Sequence, residues 1–265
     1  MKNDRLKSIL GIPYFLFLVI FVVCPVLILL YYAFTNGAGE FSLANFTLFF
    51  TDSKAIGTLI YSVMVAVVTT IVCLLIAYPV AYLLAKGEFR RGNVLLMLFV
   101  MPMWINFTLR ITALKEILTL IEGNLAFHPF LNTVIGMTYD FLPFMILPIY
   151  NALVRIRKDL IEAARDLGAG NLLVFFKIIL PLSLSGVFSG IIMVFVPALT
   201  SFVISDLLGG GKVLLIGNVI EQEFMQGSNW NLGSGLSVVL MIFVIASMAF
   251  MNRQDKENEG GNAVW

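Results

Sequence analysis

The chain has 265 residues, 60% of them hydrophobic and only 12% charged, with a formal net charge of +1. Mean hydropathy is +0.96. Soluble domains carry about a quarter of their residues as charges, so this composition excludes an ordinary soluble core and predicts a polytopic membrane protein; its near-neutral balance offers nothing to a nucleic acid.

A helix needs about 20 apolar residues to cross the hydrocarbon layer. Six segments meet or approach that length, at about 9–34, 57–84, 93–112, 132–153, 185–208 and 232–250. Backbone polar groups must be paired inside lipid, so each is expected to be a helix, and no period-2 alternation supports a β-barrel. The predicted class is therefore all-α, one transmembrane domain over residues 1–265 with six spans. The first run is too long for a cleaved leader and lacks a small-residue cleavage pattern, so it is expected to be a retained span. Lys and Arg in the connections divide thirteen to four. The richer side holds both termini and residues 155–181, and the positive-inside rule places it in the cytoplasm.

Taken in order, Cys24 lies in the first span and Cys73 in the second; both read as packing residues, not as a disulfide or metal pair. The outer loop from Thr35 to Ile56 reads as a solvated connector, and Asn45-Phe46-Thr47 fits a glycosylation sequon of little weight. Pro25, Pro79, Pro102, Pro143, Pro148 and Pro197 punctuate the spans and are expected to kink them. The outer half of the third span contains Trp104, either an interfacial belt residue or a face of the pathway. Arg110 is expected to snorkel to the outer interface. Lys115, Glu116 and Glu122 read as a solvated face, and His128 as a loop residue. Asp140 is different: it lies inside the fourth apolar run, where a charge costs about 3 kcal/mol or more and faces a cavity or a partner.

Residues 155–181, RIRKDLIEAARDLGAGNLLVFFKIILP, form a polar island. Asp159 followed three residues later by Glu162 fits a capping box, and Gly168 is placed to end the helix in the left-handed conformation. Leu160, Ile161, Ala164 and Leu167 make one apolar stripe, and Ala163 and Ala164 keep the helix thin. Beyond the fifth span, Gly209-Gly210-Gly211-Lys212 invites a phosphate-loop reading that fails. Asp206 stands where the first glycine is required and Val213 where Ser or Thr is required. A helix near the outer surface is expected in 213–231, and a short, solvated, partly disordered tail after Met251. No nucleophile elbow, zinc-protease motif, CxxC pair or visible inverted repeat is present. The chain is thus expected to be no enzyme, with no cofactor of its own.

Glu162-Ala163-Ala164, Gly168 after three residues, Ile178 after nine more and then Leu180-Pro181 resemble the EAA loop of ABC-importer permeases. Met101 to Lys115, Ile161 to Ala169 and Ile204 to Ile220 are similar to the B-type permeases of spermidine/putrescine importers. The resemblance implies the type I importer permease fold in a bacterial inner membrane. It further implies a C-type sister permease, two ATPase subunits that bind ATP and Mg, and an extracytoplasmic polyamine-binding protein, all around a chain embedded in lipid. Asp159, Glu162, Ala163, Ala164, Asp166 and Gly168 are then the candidate coupling element. Trp104, Asp140 and Asp206 are the candidate polyamine path, since carboxylates replace the lost hydration of an amine. The rivals are an importer permease for another small solute and a stand-alone secondary transporter.

Overall fold

The computed structural model describes residues 13–51, 53–87, 92–227 and 229–261. Among them the secondary structure is helical apart from one isolated bridge, Thr35 to Phe41. The helices are α1 Pro13–Ala33, α2 Ala44–Thr51, α3 Ser53–Lys86, α4 Gly92–Val100, α5 Phe107–Glu122 and α6 Pro129–Arg155. They continue with α7 Lys158–Asp166, α8 Asn171–Thr200, α9 Val203–Leu208, α10 Ile216–Met225 and α11 Trp230–Gly261. Five of these are long and apolar enough to cross a membrane, and six spans result if the bent α4–α5 pair is one.

The chain divides into two compact units. The first comprises Met1–Ile56 and Val219–Phe243. Here α1 ends with carbonyls that its own helix cannot satisfy. The Asn45 amide donates to the carbonyls of Ala33 (2.9 Å) and Thr35 (3.0 Å), and that of Asn231 to Thr35 (2.7 Å) and Tyr32 (3.1 Å). The expected sequon is therefore a buried structural asparagine, and the expected open connector is partly a folded helix, α2, burying Asn45 and Phe49.

The second unit comprises Gly57–Asn218 and Val244–Trp265. Its axis is α6, whose span is 61% buried against 33% for α3 and 39% for α8. Lipid gives apolar side chains no reason to leave it, so close packing decides which faces meet. On α3, Ala66, Cys73, Ala77 and Ala81 are fully buried. Thr69 contacts the Met137 sulfur and Cys73 the carbonyl of Thr138, both on α6, at 3.8 Å. On α8, Gly186 and Gly190 let the backbones touch: a Cβ on Gly186 would stand 2.6 Å from the Pro148 carbonyl and 2.5 Å from Ala152 Cβ.

Three helix limits differ from the sequence expectation. The third span is not continuous over 93–112: α4 passes into a 3-10 turn at Met101–Trp104, and Val94–Trp104 meets Phe107–Glu122 at 96°. Asn106 makes the break possible, its side chain accepting from the amides of Thr108 (3.0 Å) and Leu109 (3.3 Å) as the cap of a new helix. The fifth span runs Asn171–Thr200, not 185–208, with Ser201 in extended backbone before α9. Its polar-looking start is apolar except for Asn171 and Lys177, the latter an exposed residue whose long stem suits a span end. The island's last third thus belongs to a span. The chain after Met251 continues α11 to Gly261 where disorder was expected.

Candidate functional site

The island's helix, α7, runs Lys158–Asp166 with Arg157 as its N-cap. The capping box does not form: no side chain caps the N-terminus, because the helix starts one residue earlier than Asp159. The Asp159 carboxylate instead accepts from the guanidinium of Arg157, with Nε at 3.0 Å, and from the Leu160 amide at 3.1 Å. Hydrogen bonding from Arg157 holds the Asp159 carboxyl below its ordinary range, and the same bond holds the Arg157 guanidinium up. Glu162, Ala163 and Asp166 are exposed.

The C-terminal end follows the sequence expectation. Gly168 has φ of +85°. Its amide bonds to the Arg165 carbonyl (2.9 Å), and the Ala169 amide to the Ala164 carbonyl (3.0 Å), which is the paired closure of a Schellman motif. A Cβ at Gly168 meets nothing within 4 Å in this chain. Glycine is therefore required here by backbone conformation. Of the predicted stripe, Ile161 and Ala164 are partly covered, whereas Leu160 is 48% and Leu167 89% exposed.

The helix is tied to the spans at both ends. Ile156, the C-cap of α6, is buried, and its carbonyl accepts from Lys86 Nζ at 2.7 Å. A cavity of about 430 Å³ lies behind α7, lined by Tyr82, Lys86, Lys158, Glu162, Arg165 and Asn171 among others.

The three path candidates are set in unlike surroundings. Trp104, at the end of the 3-10 turn, is 84% exposed. Asp140 is 4% exposed on α6 and forms an ion pair with Arg110 of α5. Arg110 therefore does not snorkel outward. It is 8% exposed, its guanidinium carbon 5.8 Å from the Tyr139 ring centre, because the bend at Asn106 turns the first turn of α5 onto α6. Sequence reading saw both charges but not that the broken span brings them together. Asp206, on α9, is exposed and accepts from the Asn218 amide at 2.5 Å. Asn218 was missed; its signal was a lone amide in an apolar run, Leu215-Ile216-Gly217-Asn218-Val219-Ile220.

Residues 77–256 match the sequence profile of a family described as the binding-protein-dependent transport system inner membrane component. The chain belongs to this family. It is a multi-pass inner-membrane transport permease. It is 36% identical to the spermidine/putrescine transport system permease protein PotB of Haemophilus influenzae, with 96% of each chain covered. It is 37% identical to the protein of the same description in Escherichia coli, over 76% of this chain and 78% of that one. A bacterial ABC transporter involved in the import of the acidic polysaccharide alginate superposes with a TM-score of 0.74 at 16% identity, covering 97% of this chain and 96% of the other. The MetNI methionine ABC transporter gives 0.60 at 20% identity, over 77% and 95%. These likenesses establish the all-α type I importer permease fold for the permease.

Proposed function

We propose that the permease is the B-type membrane subunit of an ATP-driven polyamine importer, moving spermidine or putrescine into the cytoplasm by alternating access. Both termini and α7 face the cytoplasm. A C-type permease completes the pathway, two partner ATPases bind ATP and Mg, and an extracytoplasmic binding protein delivers the polyamine. The observation that carries this reading is α7: a short exposed helix, closed sharply at Gly168, joined directly to α6 at one end and α8 at the other, in a chain akin to polyamine permeases. Asp159, Glu162, Ala163, Ala164, Asp166 and Gly168 present it to the ATPase. ATP-driven closure of the ATPase pair moves α7, the shift being driven by the unequal affinity of the two ATPase states for ATP.

On the path, Asp206 is the carboxylate best suited to an amine, since Asp140 is occupied by Arg110. Trp104 offers an exposed aromatic face to the same cation. The test is reconstitution of both permeases, with and without the ATPase, in proteoliposomes supplied with binding protein and labelled spermidine. Uptake is expected only with ATPase and ATP. Uptake driven by an ion gradient without the ATPase, or transport of another solute in preference to polyamines, sinks the reading.

A further inference from the structure

We propose that Asn218 is a positioning residue that holds the Asp206 carboxylate ready for a primary ammonium group of the cargo. This rests on the reading of Asp206 as part of the amine path.

Asn218 is 1% exposed, and both polar atoms of its side chain have hydrogen-bond partners. Its Oδ1 accepts from the Leu215 amide at 2.9 Å and lies 2.8 Å from Ser205 Oγ, whose one proton is shared with the Phe202 carbonyl. Its Nδ2 donates to the Phe202 carbonyl at 3.2 Å and to Asp206 Oδ1 at 2.5 Å. The Leu215 N–H can only donate, so the amide has one permitted orientation and the Nδ2 must point at Asp206. The amide is itself anchored. The Ile216 amide donates to Ser62 Oγ at 2.8 Å, with Ser62 fully buried on α3. At Gly217 a Cβ would stand 2.7 Å from the Thr200 carbonyl, so the segment lies hard against the end of α8.

The consequence falls on an exposed residue. A surface carboxylate ordinarily turns freely, and catching a cation costs it that freedom. Here one oxygen of Asp206 is fixed by a charge-assisted hydrogen bond. Among the described residues, no ion pair includes Asp206. The result is a pre-set acceptor for an N–H donor, supported from beneath by a rigid amide.

The test uses the complete importer in proteoliposomes with saturating loaded binding protein, reading spermidine uptake and binding-protein-stimulated ATP hydrolysis side by side. Asp206→Asn and Asn218→Ala are each expected to cut uptake about tenfold, the worth of one charge-assisted hydrogen bond, while stimulated hydrolysis stays within about twofold. The double variant is expected to be no worse than Asp206→Asn. Asp206→Glu keeps the charge on an exposed site that tolerates substitution but moves the carboxylate off Asn218, and its uptake is expected to fall as far as that of Asp206→Asn. Full uptake by Asp206→Asn removes the amine role of Asp206 itself. Impaired Asp206→Asn with normal Asp206→Glu, or losses that multiply in the double variant, overturns the positioning role alone. Should Asn218→Ala fail to assemble, Asp206→Glu decides the matter.

Discussion

Removing either partner of the buried Arg110–Asp140 pair is expected to destabilise the permease, but only one of the two losses should depend on pH. The two side chains are 8% and 5% exposed. Arg110 Nε is buried without a hydrogen-bond partner, so the guanidinium relies on Asp140 and the Tyr139 ring. Breaking a buried pair costs about 3–5 kcal/mol. Asp140→Ala strands a guanidinium, which cannot shed its proton, at about 2.5–3.5 kcal/mol near a span centre. Arg110→Ala strands a carboxylate, which escapes by taking up a proton. For an ordinary carboxyl that uptake costs about 4 kcal/mol at pH 7 and about 1.5 kcal/mol at pH 5. The Arg110→Ala defect should therefore shrink by more than half between those pH values, whereas that of Asp140→Ala stays constant. Replacing both charges, with Arg110→Met and Asp140→Leu, should recover all but about 1 kcal/mol. The assay is thermal or denaturant unfolding of the purified permease in nanodiscs, followed by near-UV circular dichroism. Single-variant losses below about 1 kcal/mol, or equal pH responses of the two singles, refute the reasoning.

At Gly168, alanine should cost only the left-handed strain of about 1–2 kcal/mol, since a Cβ meets nothing there in this chain. Leucine should cost the same in stability yet depress uptake per ATP hydrolysed further; equal uptake by the two variants removes partner docking from the account. Gly186→Val should lower stability by about 2 kcal/mol or more, because its Cβ alone meets the Pro148 carbonyl at 2.6 Å and backbone cannot yield; a neutral result in an unfolding experiment contradicts the close approach of α8 and α6. Lys86→Met should leave membrane insertion intact and cost about 1 kcal/mol for the lost bond to Ile156, with transport per ATP reduced in proteoliposomes. Unchanged coupling in that variant means that the tie between α3 and α6 carries no motion.

Much of the fold follows from hydropathy, because lipid leaves a long apolar segment no alternative to a helix. The misses come where that rule is silent. Length could not reveal the break at Asn106, since the apolar count continues through it; the local signal was a capping amide just after Pro102. Pro79, Pro143, Pro148 and Pro197 all sit inside helices, so none of them marks the end of a span. At the site, Gly168 was legible because only a positive φ satisfies that turn, a property of one residue. The capping box was not, because Asp159 had a nearer partner in Arg157 that competes for its carboxylate. The pairing of Arg110 with Asp140 and the grip of Asn218 on Asp206 are tertiary facts spanning 30 and 12 residues, which no periodicity encodes.

The proposed coupling role asks the nine residues of α7 to transmit force. An isolated helix that short is marginal in water, so its rigidity must come from its ends. At the C-terminal end the Schellman closure fixes the turn at Gly168, and three residues later α8 begins. At the other end, Ile156 is buried and Arg157 enters α7 directly, so α6 and α7 share one short extended joint. Lys86 grips that joint through the Ile156 carbonyl and brings in the end of α3. On the proposed coupling role, a displacement of α7 reaches α3, α6 and α8 together, the three helices packed through Cys73, Gly186 and Gly190. Where backbones touch, as at Gly186 and Pro148, packing resists gradual deformation, and the proposed coupling therefore moves these helices as a unit.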